Sequence, residues 1–287
     1  MAGKLYIVAT HVGNLGDMTP RAIEILQKSD IIAAEDTQNS MTLLTKFEIK
    51  TKLVSNHKFN ETGSVDYFIN ELLNGKNIAV ISDAGTPCIS DPGNVLVKRA
   101  VENNIKIEAI PGACAAVAAV SVSGFDIKSF IFGGFFPREN SGAKKTAQKI
   151  KDNPGVYIFY ESPKRIIKTL EFFAENLPDC DICLCNDLTK KFERIYRGSP
   201  EKVLEELREN PSAEKGEYTV VIETLDIDEI EDISEPQTVE SIIVDVMIKQ
   251  KCTIKDAVKY IAANADIYDL SKNEVYAASL NLKKMFA

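Results

Sequence analysis

The sequence predicts an α/β fold with two sheets and a small helical module, and three observations carry this prediction. Short apolar runs typical of buried strands alternate with helix-like segments from Lys4 to Val120, which indicates a parallel sheet with right-handed crossovers. From 122 to 225 strand-like runs are more frequent, which favours a mixed or antiparallel sheet. The segment 237–287 contains three helical patterns, which indicates a separate helical module.

The chain of 287 residues is predicted to divide into four segments. These are an N-terminal α/β domain at 1–121, a second α/β domain at 122–225, an acidic linker at 226–236 and a three-helix module at 237–287. The tract 224–235 carries six acidic side chains and no Lys or Arg. Because this tract holds most of the net charge of −8, the charge does not exclude an RNA-binding surface on the rest of the chain.

Composition predicts a globular cytoplasmic protein. Apolar residues make up 45% of the chain, which supports a sizeable core, and no apolar run reaches the about 18 residues of a membrane span. The first residues resemble the start of a strand more than a signal peptide. The six cysteines are expected to be free thiols. With one Cys-x-x-Cys, at 180–183, and two histidines, no metal site is expected.

In the first half, strands are predicted where apolar and β-branched residues cluster between turn residues. They lie at 4–10, 31–34, 53–54, 77–81 and 105–110. One helix is predicted to begin at Thr19-Pro20, three more cover 41–46, 65–73 and 94–101, and a fifth follows Cys114 and ends at 120. Thr19 is a typical N-cap residue, and Pro20 suits the first helical position because its missing N–H would be unpaired there.

The strands and helices of the second half and of the terminal module are predicted from the same patterns. Strands are predicted at 130–134, 155–160, 182–186, 193–197 and 218–223, and helices at 143–151, 166–175, 201–209, 239–249, 254–264 and 272–283. Thr253 resembles a capping start, and Ser271 with Glu274 fits a capping box, in which hydroxyl and carboxylate satisfy otherwise unpaired helix-end N–H groups.

Three loops rich in glycine follow three of the predicted parallel strands, at 11–18, 82–93 and 111–114. Because ligands bind outside the carboxyl ends of such strands, these loops predict a ligand crevice along one edge of the sheet. An ordinary turn and helix start would also explain the loop 82–93 taken alone. The chain has neither a Gly-x-Gly-x-x-Gly fingerprint nor a nucleotide phosphate loop, so a different adenosine-containing ligand remains possible.

An ordered set of motifs makes a resemblance specific. They are Leu-Tyr-Ile-Val-Ala-Thr-x-x-Gly-Asn-Leu-Gly-Asp at 5–17, Ala-Glu-Asp-Thr at 34–37, Ser-Asp-Ala-Gly-Thr-Pro-x-Ile-Ser-Asp-Pro-Gly at 82–93, Ile-Pro-Gly at 110–112, Gly-Phe-Phe-Pro-Arg at 134–138, Phe-Tyr-Glu-Ser-Pro-x-Arg at 159–165 and Leu-Thr-Lys at 188–190. From about 4 to 223 the chain resembles the ribosomal RNA small subunit methyltransferase I family of the tetrapyrrole methylase superfamily. The terminal helices resemble that family more weakly.

The resemblance implies a two-domain tetrapyrrole-methylase-like fold and an S-adenosylmethionine-dependent enzyme, usually a homodimer. The reaction would be 2′-O-methylation of a cytidine ribose in the decoding region of small-subunit (16S) rRNA, free or in the assembled 30S subunit. By their position in the motifs, the residues expected to bind the donor are Asp83, Thr86, Ser90, Ala113, Cys114, Tyr160 and Gly216.

Candidate catalytic and RNA-binding residues follow from the chemistry of this reaction. Glu35, Asp36 and Glu161 each lie just past a predicted strand and could accept the proton of a ribose hydroxyl, although a helix cap or a salt bridge would explain each equally simply. Basic residues that could neutralise RNA phosphates are Arg138, Lys144, Lys145, Arg165 and Lys190. Solvated helix faces would explain scattered lysines as well.

The chain departs from the family pattern at several motif positions, and other functions remain open. His11, Gln38, Ala113-Cys114 and Asn186-Asp187 stand where Pro, Arg, Pro-Ser and Arg-Glu are usual. Loss of positive charge at 38 and 186 would remove any anion contact made there. The alternatives are a tetrapyrrole C-methyltransferase or diphthamide-type methyltransferase of the same superfamily, and a non-catalytic RNA- or ribosome-binding relative.

Overall fold

The computed structural model describes residues 2–56, 61–224, 238–264, 268 and 270–285. The chain forms two compact units, Met1–Leu225 and Asp226–Ala287. The first unit contains both sheets, so the predicted division into domains at 1–121 and 122–225 stays a prediction. The predicted acidic linker 226–236 lies outside the described residues.

The first sheet is entirely parallel, as the alternation of strands and helices predicted. Its strands are β1 (Lys4–Val8), β2 (Ile31–Ala34), β3 (Lys52–Ser55), β4 (Ile78–Ile81) and β5 (Lys106–Ile110), in the order β3-β2-β4-β1-β5. The helices are α1 (Pro20–Lys28), α2 (Thr37–Lys46), α3 (Glu61–Leu73), α4 (Asn94–Glu102) and α5 (Ala115–Ser121). Helix α2 begins before the predicted start at 41, because Asp36 caps its first turn.

Apolar residues on both faces explain why this sheet lies between helices. In β2, Ile31 packs on one face with Phe68 of α3, and the next residue, Ile32, packs on the other face with Leu26 of α1. These four side chains are almost completely buried. Burial of each such side chain contributes about 1.5–3 kcal/mol, so the parallel sheet is held from both sides.

The second sheet is mixed, as predicted. Its strands are β6 (Phe130–Phe135), β7 (Gly155–Glu161), β8 (Asp181–Asn186), β9 (Arg194–Gly198) and β10 (Tyr218–Thr224), in the order β6-β7-β10-β8-β9. Strand β6 is parallel to β7, and the other pairs are antiparallel. The helices of this half are α6 (Asn140–Asp152), α7 (Ile166–Asn176) and α8 (Pro200–Arg208).

Helices from both halves of the first unit cover the second sheet. On one face Phe136, Phe173 and Leu207 form a core with α6, α7 and α8. On the other face α5 packs against β7 and β10, with Ala116 and Ala119 in contact with the core of that face. The predicted boundary at 121 therefore follows a helix that packs on the second sheet.

The described residues of the second unit, 238–264, 268 and 270–285, contain the three helices that the sequence predicted. They are α9 (Val239–Gln250), α10 (Ile254–Ala263) and α11 (Lys272–Met285), packed around Ile243, Ile261 and Val275. The predicted capping box is present, since Ser271 N donates to Glu274 Oε2 (2.8 Å) and Glu274 N donates to Ser271 Oγ (3.3 Å). Within the part of the chain that the structure describes, no helix combines the length and apolar character needed to span a bilayer.

Candidate active site

A cavity of about 380 Å³ lies at the carboxyl ends of strands β1, β2, β4 and β5. The second sheet supplies the opposite wall through residues of β6, β7 and β10. This volume falls in the range of about 300–1,000 Å³ that is typical of small-molecule sites. The cavity is therefore at the crevice that the glycine-rich loops predicted.

Hydrogen bonds join the three glycine-rich loops to one another. Thr10 N donates to Gly85 O (2.8 Å), and Gly85 N donates to His11 O (2.9 Å). Thr86 Oγ1 donates to Ala113 O (3.1 Å), which ties the loop after β4 to the loop after β5. Gly85 has a φ of +74°, which would strain any larger residue. A Cβ added there would also lie only 3.2 Å from Val12 Cγ1 and be crowded. The prediction that these loops meet at one edge is confirmed.

The loop after β4 has left-handed backbone conformations at the cavity wall. Cys88 and Ser90 have φ of 68° and 67°, and Gly93 has φ of 127° immediately before α4. A Cβ on Gly93 would lie 2.7 Å from Cys88 Sγ, so glycine is needed there. Left-handed non-glycine residues cost on the order of 1–3 kcal/mol each and persist where the surroundings hold them. This loop is thus held in a shape that local preference alone would not select.

The predicted donor-binding residues fall into two groups. Those that line the cavity are Asp83, Thr86, Ser90, Cys114 and Tyr160. Ala113 lies outside the lining and takes part through its carbonyl bond to Thr86. Gly216 also lies outside the lining, beside Glu217, with φ of 84° and its missing Cβ 2.3 Å from Asp187 Oδ2. For all seven residues, the role in donor binding stays a prediction.

Aromatic side chains make part of the cavity wall apolar. The Tyr160 ring contacts Phe132 and Phe135 edge-on, with ring centroids 5.0 Å and 5.9 Å away. Its hydroxyl accepts a hydrogen bond from Ala116 N (3.3 Å), and burial raises the pKa of Tyr160 to about 12. Phe136, by contrast, is buried in the core beneath α7. Phe135 and Tyr160 line the cavity, whereas Phe136 does not.

Five acidic residues line the cavity: Glu35 after β2, Asp83 and Asp91 after β4, Glu161 at the end of β7, and Glu217 just before β10. Asp83 Oδ2 accepts a hydrogen bond from Asn39 Nδ2 (2.9 Å), which fixes its position. Burial and the charges of Glu35 and Asp83 raise the pKa of Asp91 to about 6, although a hydrogen bond with Ser82 acts in the opposite direction. Sequence reasoning missed Asp91, even though it lies in the same motif as Asp83.

The other two candidate bases have structural partners. Asp36 lies outside the cavity lining and caps α2, with Oδ1 accepting from Gln38 N (2.7 Å) and Asn39 N (3.3 Å). The Glu161 carboxylate is fully buried, accepts from Ser162 N and from Thr169 Oγ1 (both 2.7 Å), and lies 3.2 Å from Arg165 Nη2. A helix cap and a salt bridge, the simpler explanations of these two residues, are both present.

Comparisons with known proteins agree with this geometry. The family model of tetrapyrrole (corrin/porphyrin) methylases matches residues 4–204. The chain belongs to this methylase family. A relative from Halalkalibacterium halodurans named ribosomal RNA small subunit methyltransferase I is 42% identical over 221 residues, 77% of this chain and 76% of its own length. A relative of the same name from Haemophilus influenzae is 37% identical over 281 residues, 98% of this chain and 97% of its own length. These matches place this methylase in the ribosomal RNA small subunit methyltransferase I branch.

Two solved structures share the fold of this methylase. A cobalt precorrin-4 methyltransferase has a TM-score of 0.58 at 17% identity, over 77% of this chain and 94% of its own. A diphthine synthase has a TM-score of 0.61 at 14% identity, over 80% of this chain and 94% of its own. At such identities the likeness concerns the fold alone. Both confirm the predicted two-sheet, tetrapyrrole-methylase-like architecture.

Methyltransferases of this family use S-adenosylmethionine as the methyl donor, and the residues of this methylase fit such a molecule. The donor carries a positively charged sulfur and an ammonium group, and Asp83 and Asp91 supply negative charge at the cavity. It also carries a flat base, for which Tyr160 and Phe135 offer an apolar wall. The cavity thus suits a ligand with one cationic and one aromatic end.

An ion-pair cluster joins two loops at the rim of this cavity. Lys190 Nζ lies 2.8 Å from Asp187 Oδ1 and 2.9 Å from Glu217 Oε2, and Glu217 lines the cavity. Burial lowers the pKa of Lys190, but its hydrogen bonds to these two carboxylates outweigh burial and raise it. The backbone N of Asn14 donates to Thr189 Oγ1 (3.1 Å), so the loop after β1 meets the loop after β8 here. Lys190, predicted to bind RNA, is therefore engaged within the protein.

The remaining predicted RNA-binding residues differ in exposure. Arg138, Lys144 and Lys145 are exposed at the start of α6 or just before it. Arg165 is mostly buried, and its Nη2 donates to the carbonyls of Phe136 (3.0 Å) and of the following proline (3.1 Å). These contacts favour a structural role for Arg165 and leave the three exposed cations as the accessible part of the predicted set.

Proposed function

We propose that the protein transfers a methyl group from S-adenosylmethionine to the 2′-hydroxyl of a cytidine in the decoding region of small-subunit rRNA. The observation that carries the proposal is the similarity, nearly from end to end, to relatives named ribosomal RNA small subunit methyltransferase I, such as the Haemophilus influenzae protein at 37% identity over 98% of this chain. The cavity and its charged and aromatic lining support it further. The cytoplasmic location expected from the sequence agrees with such a substrate.

The reaction requires alignment more than activation. S-adenosylmethionine, when bound, supplies a methyl group on a positively charged sulfur. Asp83, Thr86 and Ser90 would hold the donor on the side of the first sheet, with Cys114 and Tyr160 completing the cavity. The apolar wall around Tyr160 excludes water, and the stiff loop after β4 holds the two reactants in line. Positioning therefore supplies most of the rate acceleration.

Exposed cations that follow the cavity-lining Phe135 along the chain support an RNA substrate. Arg138 follows Phe135, which lines the cavity, by three residues along the chain, and Lys144 and Lys145 lie in the first turns of α6. Side chains of this kind neutralise backbone phosphates and position RNA without reading its sequence. Exposed Phe135 is suited to stack on a base that is turned out of the RNA.

We also propose that the protein is a homodimer, as the family resemblance implies. Strand β6 lies at an edge of the second sheet and exposes Phe130 (42%) and Ile131 (47%). An exposed apolar edge strand is a surface that proteins usually cover, and a second copy would cover it here. Ile131→Lys should shift the sedimentation of the protein from dimer to monomer, whereas Val101→Lys on α4, also exposed, should not. A monomeric wild-type protein would contradict the proposal.

The decisive experiment uses labelled S-adenosylmethionine with assembled small ribosomal subunits and with free rRNA, both from cells that lack the endogenous activity. We expect label at one 2′-O-methylated cytidine, located by mass spectrometry of nuclease fragments. Asp83→Ala should abolish transfer, and Asp179→Asn, which changes an exposed carboxylate before β8, should retain it. Donor binding in calorimetry without transfer to either RNA would refute the proposal and favour a tetrapyrrole or diphthamide-type substrate, or a non-catalytic role.

A further inference from the structure

Asp91 occupies an unusual position among the acidic residues of the cavity. It is half-buried in the loop between β4 and α4, and it lines the cavity together with Glu35 from the neighbouring loop after β2. Asp83 precedes it in the same loop, and Tyr160 of β7 lies near it. Cys88 of the same loop also interacts with it, and burial raises the pKa of Cys88 to about 11, so this thiol stays neutral near pH 7.

Like-charged neighbours, more than the number of hydrogen bonds, distinguish Asp91 from Asp36 and Glu161. Asp36 caps a helix, Glu161 accepts two hydrogen bonds beside an arginine, and Asp83 accepts one from Asn39. Asp91 has a hydrogen bond with Ser82 but lies next to two carboxylates of its own sign, Glu35 and Asp83. Its ionised form is therefore poorly stabilised.

The environment of Asp91 gives it the property that a general base needs. Burial, followed by the negative charge of Glu35, raises the pKa of Asp91 to about 6. A base is most effective when its pKa lies close to the working pH, because it is then ionised and still binds a proton well. An ordinary exposed aspartate, with a pKa of about 3.9, would be a much weaker proton acceptor.

We propose that Asp91 is the catalytic residue that accepts the proton of the methylated hydroxyl, and that Glu35 tunes its basicity. This inference rests on the proposed function. The hydroxyl oxygen forms its new bond to the methyl carbon, the sulfur keeps the electron pair of the broken carbon–sulfur bond, and the hydroxyl proton moves to an Asp91 carboxylate oxygen. The charges balance, since the positive sulfur and the negative carboxylate are both neutral afterwards.

The first test compares Asp91→Asn with Glu35→Gln in single-turnover methyl transfer to the RNA form that the wild-type protein methylates. Asp91→Asn keeps the size of the side chain but cannot take a proton, so we expect a rate loss of about 10²–10⁴-fold. Its affinity for S-adenosylmethionine in calorimetry should change by less than tenfold. The wild-type rate should rise with pH as Asp91 ionises, with a midpoint at or below about 6 because a bound cationic donor favours the ionised carboxylate, and this rise should be absent in Asp91→Asn.

Glu35→Gln tests whether Glu35 sets the basicity of Asp91. Removing this negative charge should move the rising limb of the rate to lower pH, because Asp91 then ionises more easily. If Glu35 is itself the base, Glu35→Gln will abolish the rise of the methyl-transfer rate with pH, and Asp91→Asn will keep it. That pattern would overturn the proposal.

A second readout needs neither donor nor RNA. In protein labelled with ¹³C at the aspartate carboxyl carbons, the resonance that is absent from Asp91→Asn should titrate near pH 6, and near a lower pH in Glu35→Gln. Asp179→Asn, the exposed control, should leave that resonance unchanged. Titration near pH 4 would contradict the inference.

The two proposals fail in different ways. If the wild-type protein methylates no RNA, the proposed function is wrong. If the wild-type protein methylates RNA and Asp91→Asn does so at a similar rate, only the role of Asp91 is wrong.

Discussion

Asp91→Asn should make the protein more stable at neutral pH while it removes the proposed base. In the folded protein the pKa of Asp91 is raised from 3.8 to about 6, so ionisation of this carboxyl costs free energy that the unfolded chain does not spend. A raised folded-state pKa means that the stability from this group is complete below about pH 4 and is lost as the pH rises through 6. The asparagine variant cannot ionise and avoids this loss.

The size of the effect follows from the shift. Two pKa units correspond to at most about 3 kcal/mol, and because Asp91 is only half-buried, solvent screening reduces this to about 1–2 kcal/mol. At about 2–4 °C per kcal/mol, the melting temperature at pH 8 should rise by a few degrees.

Urea unfolding followed by circular dichroism measures this difference, and the pH dependence is the diagnostic part. The stability of Asp91→Asn relative to wild type should increase between pH 4 and pH 7.5, and Asp179→Asn should run parallel to wild type over the same range. If the Asp91→Asn and wild-type curves stay parallel as well, Asp91 does not carry a raised pKa, and the electrostatic reasoning for this site is refuted.

Three further substitutions test other parts of the structure. Arg165→Met should destabilise the protein by about 3–5 kcal/mol in urea unfolding, because it leaves the fully buried Glu161 without its cation; a neutral effect would restore Arg165 as a free RNA-binding residue. Gly216→Ala should cost about 1–3 kcal/mol, since φ of 84° and a carboxylate 2.3 Å from the new Cβ both oppose it; unchanged stability would show that the turn relaxes easily. Lys144→Met should lower the slope of log affinity for RNA against log salt concentration by about one, whereas Lys190→Met, which loses internal partners, should not. Equal slopes in both variants would contradict the assignment of Lys144 to RNA binding and of Lys190 to an internal ion pair.

The elements of the fold were predictable because they depend on local patterns. Strand β4 is a short apolar run followed by turn residues, and helix α1 begins at the predicted Thr19, whose side chain accepts from Ala22 N (3.1 Å). The convergence of the loops at 11–18 and 82–93 was also predictable, because parallel strands bring their carboxyl ends to one edge.

The roles of single side chains depended on contacts that no local pattern contains. Lys190 is a basic residue in a polar loop, and only the fold brings Glu217 within 2.9 Å of it. Asp91 faces the cavity because the backbone turns left-handed at Cys88 and Ser90, conformations that these residue types do not favour. The pair of Glu161 and Arg165 is the exception, since two opposite charges four residues apart could have indicated a salt bridge.

Two carboxylates of this site, Glu161 and Asp91, show how burial and hydrogen bonding separate structural from chemical roles. Glu161 is more deeply buried, yet it accepts hydrogen bonds from Ser162 N and Thr169 Oγ1 and lies beside Arg165, so its negative charge is satisfied. Asp91 is less buried but faces carboxylates of its own sign, so its charge costs free energy until a proton or a cation arrives. A positively charged donor next to Asp91 would supply that cation before the reaction and remove it afterwards, when the sulfur becomes neutral. The affinity of Asp91 for a proton would then rise during methyl transfer, at the moment when the hydroxyl has to lose one.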